Sequence, residues 1–245
     1  LARALGLPLW QWFGGATDRV QSDFTLTFAP PAEVARFAAE ARAAGYRVLK
    51  IKVGTDPDED EARVRAIAGA APDARLRLDA NQAFDARQAL RFVRRLVAAN
   101  LPIELLEQPV PRDDWDGLAA VTRESPVPVI ADEAIHTPAD VIRVVRTGAA
   151  HGVNLKLAKS GPLAALAMIA IARAAGLKLM LGCMLESLLG IGVAVHLACG
   201  TGAFDYLDLD SHALIGLAPS GRPFAQREDW LLVPHDVAGH GWEPA

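Results

Sequence analysis

The sequence predicts a closed α/β barrel of parallel strands, and three observations lead to that class. Short apolar runs alternate with longer segments whose apolar residues recur at helical spacing, about eight times at intervals of about 25 residues. Apolar residues make up 51% of the 245 residues, which is enough for one large core. Eight strands within about 190 residues favour a closed barrel over an open doubly wound sheet.

Each strand is predicted from a short apolar run bounded by turn residues. The eight runs, in chain order, are residues 24–28, 47–53, 74–79, 103–106, 127–131, 152–157, 178–181 and 204–207. Helices are predicted where apolar residues follow the i, i+3, i+4, i+7 pattern, at residues 31–44, 85–99, 137–147 and 162–175. Two of these helices carry start signals, because Thr137-Pro138 and Ser160-Gly161-Pro162 place a capping residue and a proline at the first turn.

Composition and charge exclude several classes of protein. A net charge of −4 argues against nucleic acid as a partner, since phosphate binding needs a basic surface. The longest apolar stretch, residues 177–200, is interrupted by Lys178, Glu186 and His196, so we expect no membrane span. Two cysteines without a paired pattern exclude a disulfide scaffold and favour a reducing compartment, so we predict a cytoplasmic protein.

Polar residues near the ends of the predicted strands are the strongest functional signal. In residues 48–53, alternation places Lys50 and Lys52 on the face opposite the apolar residues, so both lysines are expected inside the barrel. Similar residues at the ends of later strands are Asp79, Glu107, Asp132, Asn154 with Lys156, and Asp208 with Asp210. They recur about once per strand–helix unit and therefore converge on one mouth of the barrel, where active sites of barrels lie.

Three of these carboxylates, with no Cys or His among them, form a candidate all-oxygen metal site. Oxygen ligands suit Mg²⁺ or Mn²⁺ rather than Zn²⁺, and the candidate ligands are Asp79, Glu107 and Asp132. We expect the substrate of such a site to carry a carboxylate that binds the same ion.

Lysines are candidates for proton transfer because the chain otherwise prefers arginine. It contains 20 Arg and five Lys, and four of the lysines form the pairs Lys50/Lys52 and Lys156/Lys159. A base needs a pKa about 3 units below the usual 10.4, and like-charge repulsion by Lys50 would lower the pKa of Lys52. One lysine could remove the α-proton of a substrate while the other returns a proton to the opposite face of the same carbon. A metal ion would stabilise the enediolate formed between these steps, so the arrangement suits racemisation or epimerisation.

The motifs at these positions resemble those of a known family. The chain resembles the enolase superfamily, within it the muconate-lactonizing branch, and most of all the dipeptide epimerases of the L-Ala-D/L-Glu epimerase type. The resemblance runs from about residue 5 to the C-terminus. The motifs that carry it are Lys50-Ile-Lys52, Asp79-Ala-Asn81, Glu107-Gln-Pro109, Ala131-Asp132-Glu133, Lys156-Leu-Ala-Lys159-Ser-Gly161, Gly182-Cys-Met-Leu-Glu186-Ser187 and Asp208-Leu-Asp210.

The resemblance implies a fold and a division of the chain. The fold would be a TIM-type (β/α)₇β barrel, with the N-terminal α+β capping domain of the family largely absent from this chain. Residues 1–23 would be a helical lead-in that remains from the capping region, and residues 24–220 the catalytic barrel. Residues 221–245 would pack with the capping domain. Members of the family often form homo-oligomers, which we expect here as well.

The resemblance also implies roles for individual residues. Mg²⁺ would bind to Asp79, Glu107 and Asp132, and Lys52 and Lys156 would form the acid/base pair, with Lys50 tuning Lys52 and contacting the substrate. Asp208 and Asp210 would bind the α-ammonium of a dipeptide. We expect Glu133 to point away from its neighbour Asp132, and Lys159 to be a solvated loop residue.

Other functions remain open on the same scaffold. A muconate cycloisomerase, an o-succinylbenzoate synthase or an N-acylamino acid racemase would use the same lysines, but their substrates offer no ammonium group to the acidic pair Asp208 and Asp210. From a different class, the chain could be a non-catalytic barrel fragment that binds a metal ion and a carboxylate without turnover.

Overall fold

A computed structural model describes residues 1–215 and 223–242 and contains the expected barrel. Its strands are, in chain order, β1 (Arg19–Gln21), β2 (Phe24–Leu26), β3 (Val48–Lys52), β4 (Arg75–Asp79), β5 (Ile103–Glu107), β6 (Val129–Ala131), β7 (Gly152–Lys156), β8 (Lys178–Gly182), β9 (Tyr206–Asp208), β10 (Ala225–Arg227) and β11 (Trp230–Leu232). Strands β2 to β9 form one parallel sheet in chain order. All eight strands expected from the sequence are therefore confirmed.

The helices connect successive strands and cover the outer face of the sheet. After a 3₁₀ turn at Arg3–Leu5 they are α1 (Leu9–Trp12), α2 (Pro31–Ala43), α3 (Pro57–Ala70), α4 (Ala86–Ala98), α5 (Trp115–Glu124), α6 (Pro138–Thr147), α7 (Leu157–Ala174), α8 (Leu188–Thr201) and α9 (Ser211–Ile215). By length and composition alone, α7 could cross a membrane. In the barrel its residues Ala165, Met168 and Ala172 are fully buried.

Local sequence explains where these helices begin. Thr137 caps α6, with Pro138 at the first helical position and a capping box completed by Asp140. Helix α7 starts at residue 157, earlier than the expected 162, but Gly161 has a φ of 70° and interrupts it. The regular part of α7 therefore begins at the predicted proline, and the preceding turn continues directly from strand β7.

The barrel closes without a strand ladder between its first and last strands, as far as the described residues show. Three hydrogen bonds join them instead: Asp23 N donates to Leu207 O at 3.2 Å, Leu209 N to Ser22 Oγ at 2.8 Å, and Thr25 N to Asp210 Oδ2 at 2.7 Å. This seam places residues 22–25 beside residues 207–210. Closure of the barrel thus depends partly on Asp210, which the sequence marks as a binding residue.

Buried charges occupy the barrel interior below the mouth. Arg77 of β4 donates to Asp23 Oδ2 at 2.8 Å, to Glu104 Oε2 at 2.6 Å and to Leu207 O at 2.7 Å, and it is only 4% exposed. A small apolar layer beside it contains Leu105, Ile130 and Met180. Arg77 therefore ties β4, β5 and the closing seam together inside the barrel.

The two ends of the described chain meet in a second, small sheet. Strand β11 pairs with both β1 and β10 in antiparallel register. Residues 223–242 thus pack against the expected lead-in, residues 1–23. The domain boundary expected between residues 220 and 221 lies outside the described residues.

Replacement of Arg77 by Met should destabilise the fold strongly. The substitution leaves the buried Asp23 without its ion-pair partner, and removal of one partner of a buried ion pair costs about 3–5 kcal/mol. Urea unfolding followed by circular dichroism measures the difference. The matched control is Arg75→Met, because Arg75 pairs with the same Glu104 but its side chain is 55% exposed, and we expect a loss of at most about 1 kcal/mol there. Equal losses in the two variants would contradict this account.

Acid should weaken the fold through His196. This fully buried residue accepts a hydrogen bond from Trp10 N at 3.1 Å, and burial lowers its pKa from 6.5 to about 4. The unfolded chain therefore binds the proton first, so stability present above pH 6.5 is lost as the pH falls toward 4. The loss attributable to this residue is about 3 kcal/mol.

The measurement is the urea unfolding free energy at pH 7 and at pH 4.5, compared with His196→Gln. The Gln variant has no ionisable group at this position, so its stability should depend less on pH. The same pH dependence in both proteins would show that His196 does not titrate in this way.

Candidate active site

A cavity of about 440 Å³ opens at the C-terminal ends of the barrel strands. Six of the eight site residues expected from the sequence line it, namely Lys50, Lys52, Asp132, Lys156, Asp208 and Asp210. The other two, Asp79 and Glu107, are completely buried beside Lys50. The structure therefore brings all eight residues to one mouth of the barrel.

Strand register explains why these side chains share one layer. Lys52 is paired with Asp79, Asp79 with Glu107, and Glu107 with Ile130, two residues before Asp132. On the other side of the barrel, Lys156 is paired with Gly182, which is paired with Asp208. Residues paired in register on neighbouring parallel strands point to the same face of the sheet, so these side chains meet inside the barrel at its mouth.

The first lysine pair consists of one buried and one accessible residue. The Nζ of Lys50 lies 2.9 Å from Asp79 Oδ2, 2.9 Å from Glu107 Oε2 and 2.6 Å from Asp208 Oδ2, and its side chain is 2% exposed. The side chain of Lys52 is 27% exposed, and its Nζ donates to Asp79 Oδ2 at 2.7 Å. Because three carboxylates surround Lys50, its repulsion of Lys52 is weaker than the sequence argument assumes.

The second lysine pair shares a single carboxylate. Lys156 Nζ lies 2.6 Å from Asp132 Oδ2, while Lys159 donates to Asp132 Oδ1 at 2.6 Å, to Asp132 O at 2.7 Å and to Asn154 O at 3.3 Å. Lys159 is thus anchored and largely buried, not a solvated loop residue. A Cβ on Gly182 would come within 3.1 Å of Lys156 Cε, so this glycine leaves room for the lysine.

These contacts set the charges of the site. Burial raises the pKa of Glu107, and the nearby Asp79 raises it further, to about 8. Burial also opposes ionisation of Asp132, but Lys159 and Lys156 hold its pKa below the usual range. For Lys156, burial opposes the charged form, yet Asp132 and Glu107 raise its pKa above the usual value. The pKa of Lys156 is thus raised, contrary to the lowered lysine pKa expected of a base, because Asp132 and Glu107 stabilise the charged amine.

The ligand atoms of Asp79, Glu107 and Asp132 fit a divalent cation in chemical type. Glu107 Oε2 and Asp132 Oδ2 are buried, and each is in ion-pair contact with a lysine but accepts no hydrogen bond of good geometry from any described residue. Asp79, Glu107 and Asp132 follow one another on adjacent strands and offer only oxygen, the ligand atom that Mg²⁺ and Mn²⁺ prefer.

A tighter carboxylate group lies next to these residues, and one of its members was missed by the sequence reasoning. This group consists of Asp23, Asp208 and Asp210. Each offers one carboxylate oxygen, and the three oxygens all lie within 4.8 Å of one another. Among the described Asp, Glu, His and Cys residues, these three form the group that is this compact. Burial and the nearby Asp208 raise the pKa of Asp23. Asp23 directly precedes β2 and lies on the same strand face as Thr25, and this position is the signal in the sequence that could have identified it.

Strained backbone at two strand ends positions further polar side chains. Asn81 and Gln108 have φ values of 41° and 32°, which are rare outside glycine. Gln108 Oε1 accepts from Asp132 N at 2.8 Å, and Asn81 links Lys52 to Glu133 through bonds of 2.9 and 3.1 Å. Glu133 therefore lines the cavity, contrary to expectation, because β6 ends at residue 131 and strand alternation stops there.

Comparison with known proteins agrees with this geometry. A family model described as "Enolase C-terminal domain-like" matches residues 33–245. The chain is 43% identical over 242 residues to the aromatic dipeptide epimerase of Herpetosiphon aurantiacus, an alignment that covers 98% of this chain and 68% of the relative. It is 42% identical over 215 residues to the L-Ala-D/L-Glu epimerase of Thermotoga maritima, covering 88% of this chain and 62% of that relative.

A solved structure shows the same likeness in three dimensions. The dipeptide epimerase of Enterococcus faecalis, in complex with Mg and the dipeptide L-Leu-L-Tyr, superposes with a TM-score of 0.90 at 37% identity. The superposition covers 98% of this chain and 68% of that one. Like the curated relatives, that protein is longer than this chain. The chain belongs to the enolase C-terminal domain-like family, in which these relatives are dipeptide epimerases.

Proposed function

We propose that this chain is the catalytic barrel of a Mg²⁺-dependent dipeptide epimerase that works by two-base proton transfer. The observation that carries the proposal is the placement of Lys52 and Lys156, which both line the cavity. Lys52 is on β3 and Lys156 on β7, four positions apart in an order of eight strands, so they lie on opposite sides of the mouth. The carboxylates at the ends of β4, β5 and β6 lie between them along the ring of strands.

Asp79, Glu107 and Asp132 are the residues that would hold the divalent cation, with Mn²⁺ as an alternative to Mg²⁺. When bound, this cation supplies positive charge beside the substrate carboxylate, which stabilises the negative charge that develops as the α-proton leaves. The structure of the E. faecalis relative, which contains Mg and a dipeptide, supports this choice.

The two lysines move the proton. Nζ of one lysine takes the α-proton of the substrate from one face, and Nζ of the other delivers a proton to the opposite face, which inverts the configuration. Which lysine acts as the base depends on the stereoisomer that binds. Lys50 holds Asp79, Glu107 and Asp208 in place from below, so its role is to orient the carboxylates around the reacting carbon.

The acidic pair defines one end of the substrate. Asp208 and Asp210 line the cavity and are each 4% exposed, and a buried pair of carboxylates favours a ligand with a positive charge. The α-ammonium of a dipeptide meets this requirement. Substrates of cycloisomerases, o-succinylbenzoate synthases and N-acylamino acid racemases carry no such group, so this observation favours the dipeptide.

We also propose that the protein is a cytoplasmic homo-oligomer. Its cysteines support a reducing compartment, because Cys183 and Cys199 are both free and Cys199 is buried. Sedimentation of the purified chain at several concentrations tests the assembly.

The reaction should appear as exchange of the α-proton. In D₂O with Mg²⁺ and a mixed library of dipeptides, we expect deuterium at the α-carbon of one residue, detected by mass spectrometry, together with the opposite stereoisomer. If no dipeptide in the library exchanges, the proposal is wrong and the hypothesis of a non-catalytic barrel is favoured.

Loss of one lysine should affect the two stereoisomers unequally. Lys52→Ala and Lys156→Ala should each slow exchange from one isomer by about 10²-fold or more while the other isomer keeps part of its exchange, because each base serves one face. Lys178→Ala is the matched control, since Lys178 lies at the start of β8 and pairs with Asp205 at the surface. Equal residual exchange from both isomers in each variant would refute the two-base scheme.

Loss of one carboxylate should weaken binding of the metal ion. Asp132→Asn removes one negative charge of the proposed ligand set, so the affinity for Mg²⁺ measured by calorimetry should fall about tenfold or more. Asp205→Asn removes a carboxylate that does not line the cavity and should leave the affinity unchanged. An unaltered affinity in Asp132→Asn would remove Asp132 from the ligand set.

A further inference from the structure

The active-site cavity has one apolar side. Met184, Leu185 and Leu214 line it, and their exposed fractions are 53%, 77% and 46%. Other lining residues, Arg112 and His136, are polar and follow β5 and β6. Clustered exposure of large apolar side chains at a binding cavity indicates contact with an apolar group of a ligand or partner.

This apolar side lies next to the acidic pair. The loop that carries Met184 and Leu185 is held against the residue after Asp210, because Glu186 N donates to Ser211 Oγ at 3.4 Å. Leu214 lies on the short helix that begins at Ser211. The two carboxylates and Leu214 therefore come from one segment, residues 208–214, and the loop with Met184 and Leu185 adjoins it.

No charged group of the same loop competes with an apolar ligand. The Glu186 Oε1 accepts a hydrogen bond from Met184 N at 3.1 Å, so this carboxylate is turned back to its own backbone. Burial, together with the nearby Asp208, raises the pKa of Cys183 to about 12, so the thiol at the start of the loop stays neutral. The loop therefore offers a largely apolar surface beside two carboxylates.

We infer that Met184, Leu185 and Leu214 bind the side chain of the first residue of the dipeptide and select a large aliphatic or aromatic one. This inference rests on the proposed function, in which the acidic pair holds the α-ammonium. In any dipeptide, that ammonium and the first side chain are attached to the same α-carbon. The first side chain must therefore leave the acidic pair at close range, where these three residues lie.

The test varies the first residue of the substrate. The second residue of the dipeptide is kept constant, as the amino acid whose dipeptides exchange fastest in the mixed library. The first residue is Leu, Gly or Asp. We expect kcat/KM for α-proton exchange to be about tenfold or more higher with Leu than with Gly, because a hydrophobic pocket discriminates by about that factor for each missing methylene group. The value should be lowest with Asp, whose charged side chain would lie against apolar residues.

Two leucine variants separate a binding role from a general effect. Leu185→Asp should lower the Leu/Gly ratio of kcat/KM about tenfold, and Leu185→Met should restore most of it. The matched control is Leu163→Asp, because Leu163 is 82% exposed on α7 and does not line the cavity, so its ratio should equal that of the unmodified chain. A readout based on the ratio is insensitive to uniform loss of folded protein.

Several results of these exchange measurements would overturn the inference. A Leu/Gly ratio near one in the unmodified chain, or an unchanged ratio in Leu185→Asp, overturns the inference while leaving the epimerase proposal intact. An equal loss of exchange with all three substrates in Leu185→Asp would show that the patch is a packing surface, which also overturns it. Absence of exchange with every dipeptide would overturn both the proposed function and this inference.

Discussion

One buried ammonium group holds the centre of this site together. Lys50 contacts carboxylates from β4, β5 and β9 and is almost completely buried, so it compensates negative charge that the barrel interior would otherwise not tolerate. Without such a cation, Asp79, Glu107 and Asp208 would repel one another in a medium of low dielectric constant. The placement of the other functional groups follows from this compensation.

The two lysine pairs share a design. In each pair, one lysine contacts three oxygen atoms and the other contacts fewer, and all four lysines line the cavity. Lys50 and Lys159 have three oxygen partners each, whereas Lys52 has two and Lys156 has one. A lysine with three oxygen partners beside one with fewer lets the carboxylates keep their positions when the less-bound amine takes up or releases a proton.

Fold and site are also linked at the seam where the barrel closes. Asp210 accepts a hydrogen bond from Thr25, and Asp23 both contacts Arg77 and donates its backbone N–H to Leu207. The acidic pocket is therefore part of the closure itself. Of the three carboxylates, Asp210 accepts a hydrogen bond of the seam, whereas Asp23 pairs with Arg77 and Asp208 with Lys50.

The sequence by itself determined the strands, the kind of barrel and the residues that reach its mouth. These depend on local patterns, since alternation along a strand decides which way Lys50 and Lys52 point, and one strand–helix unit separates Asp79 from Glu107. Only the tertiary structure decided the partner of each charged group. Asp23, the anchoring of Lys159, the orientation of Glu133 and the raised pKa of Lys156 all depend on atoms distant in the chain, and strand periodicity carries no information about such distances.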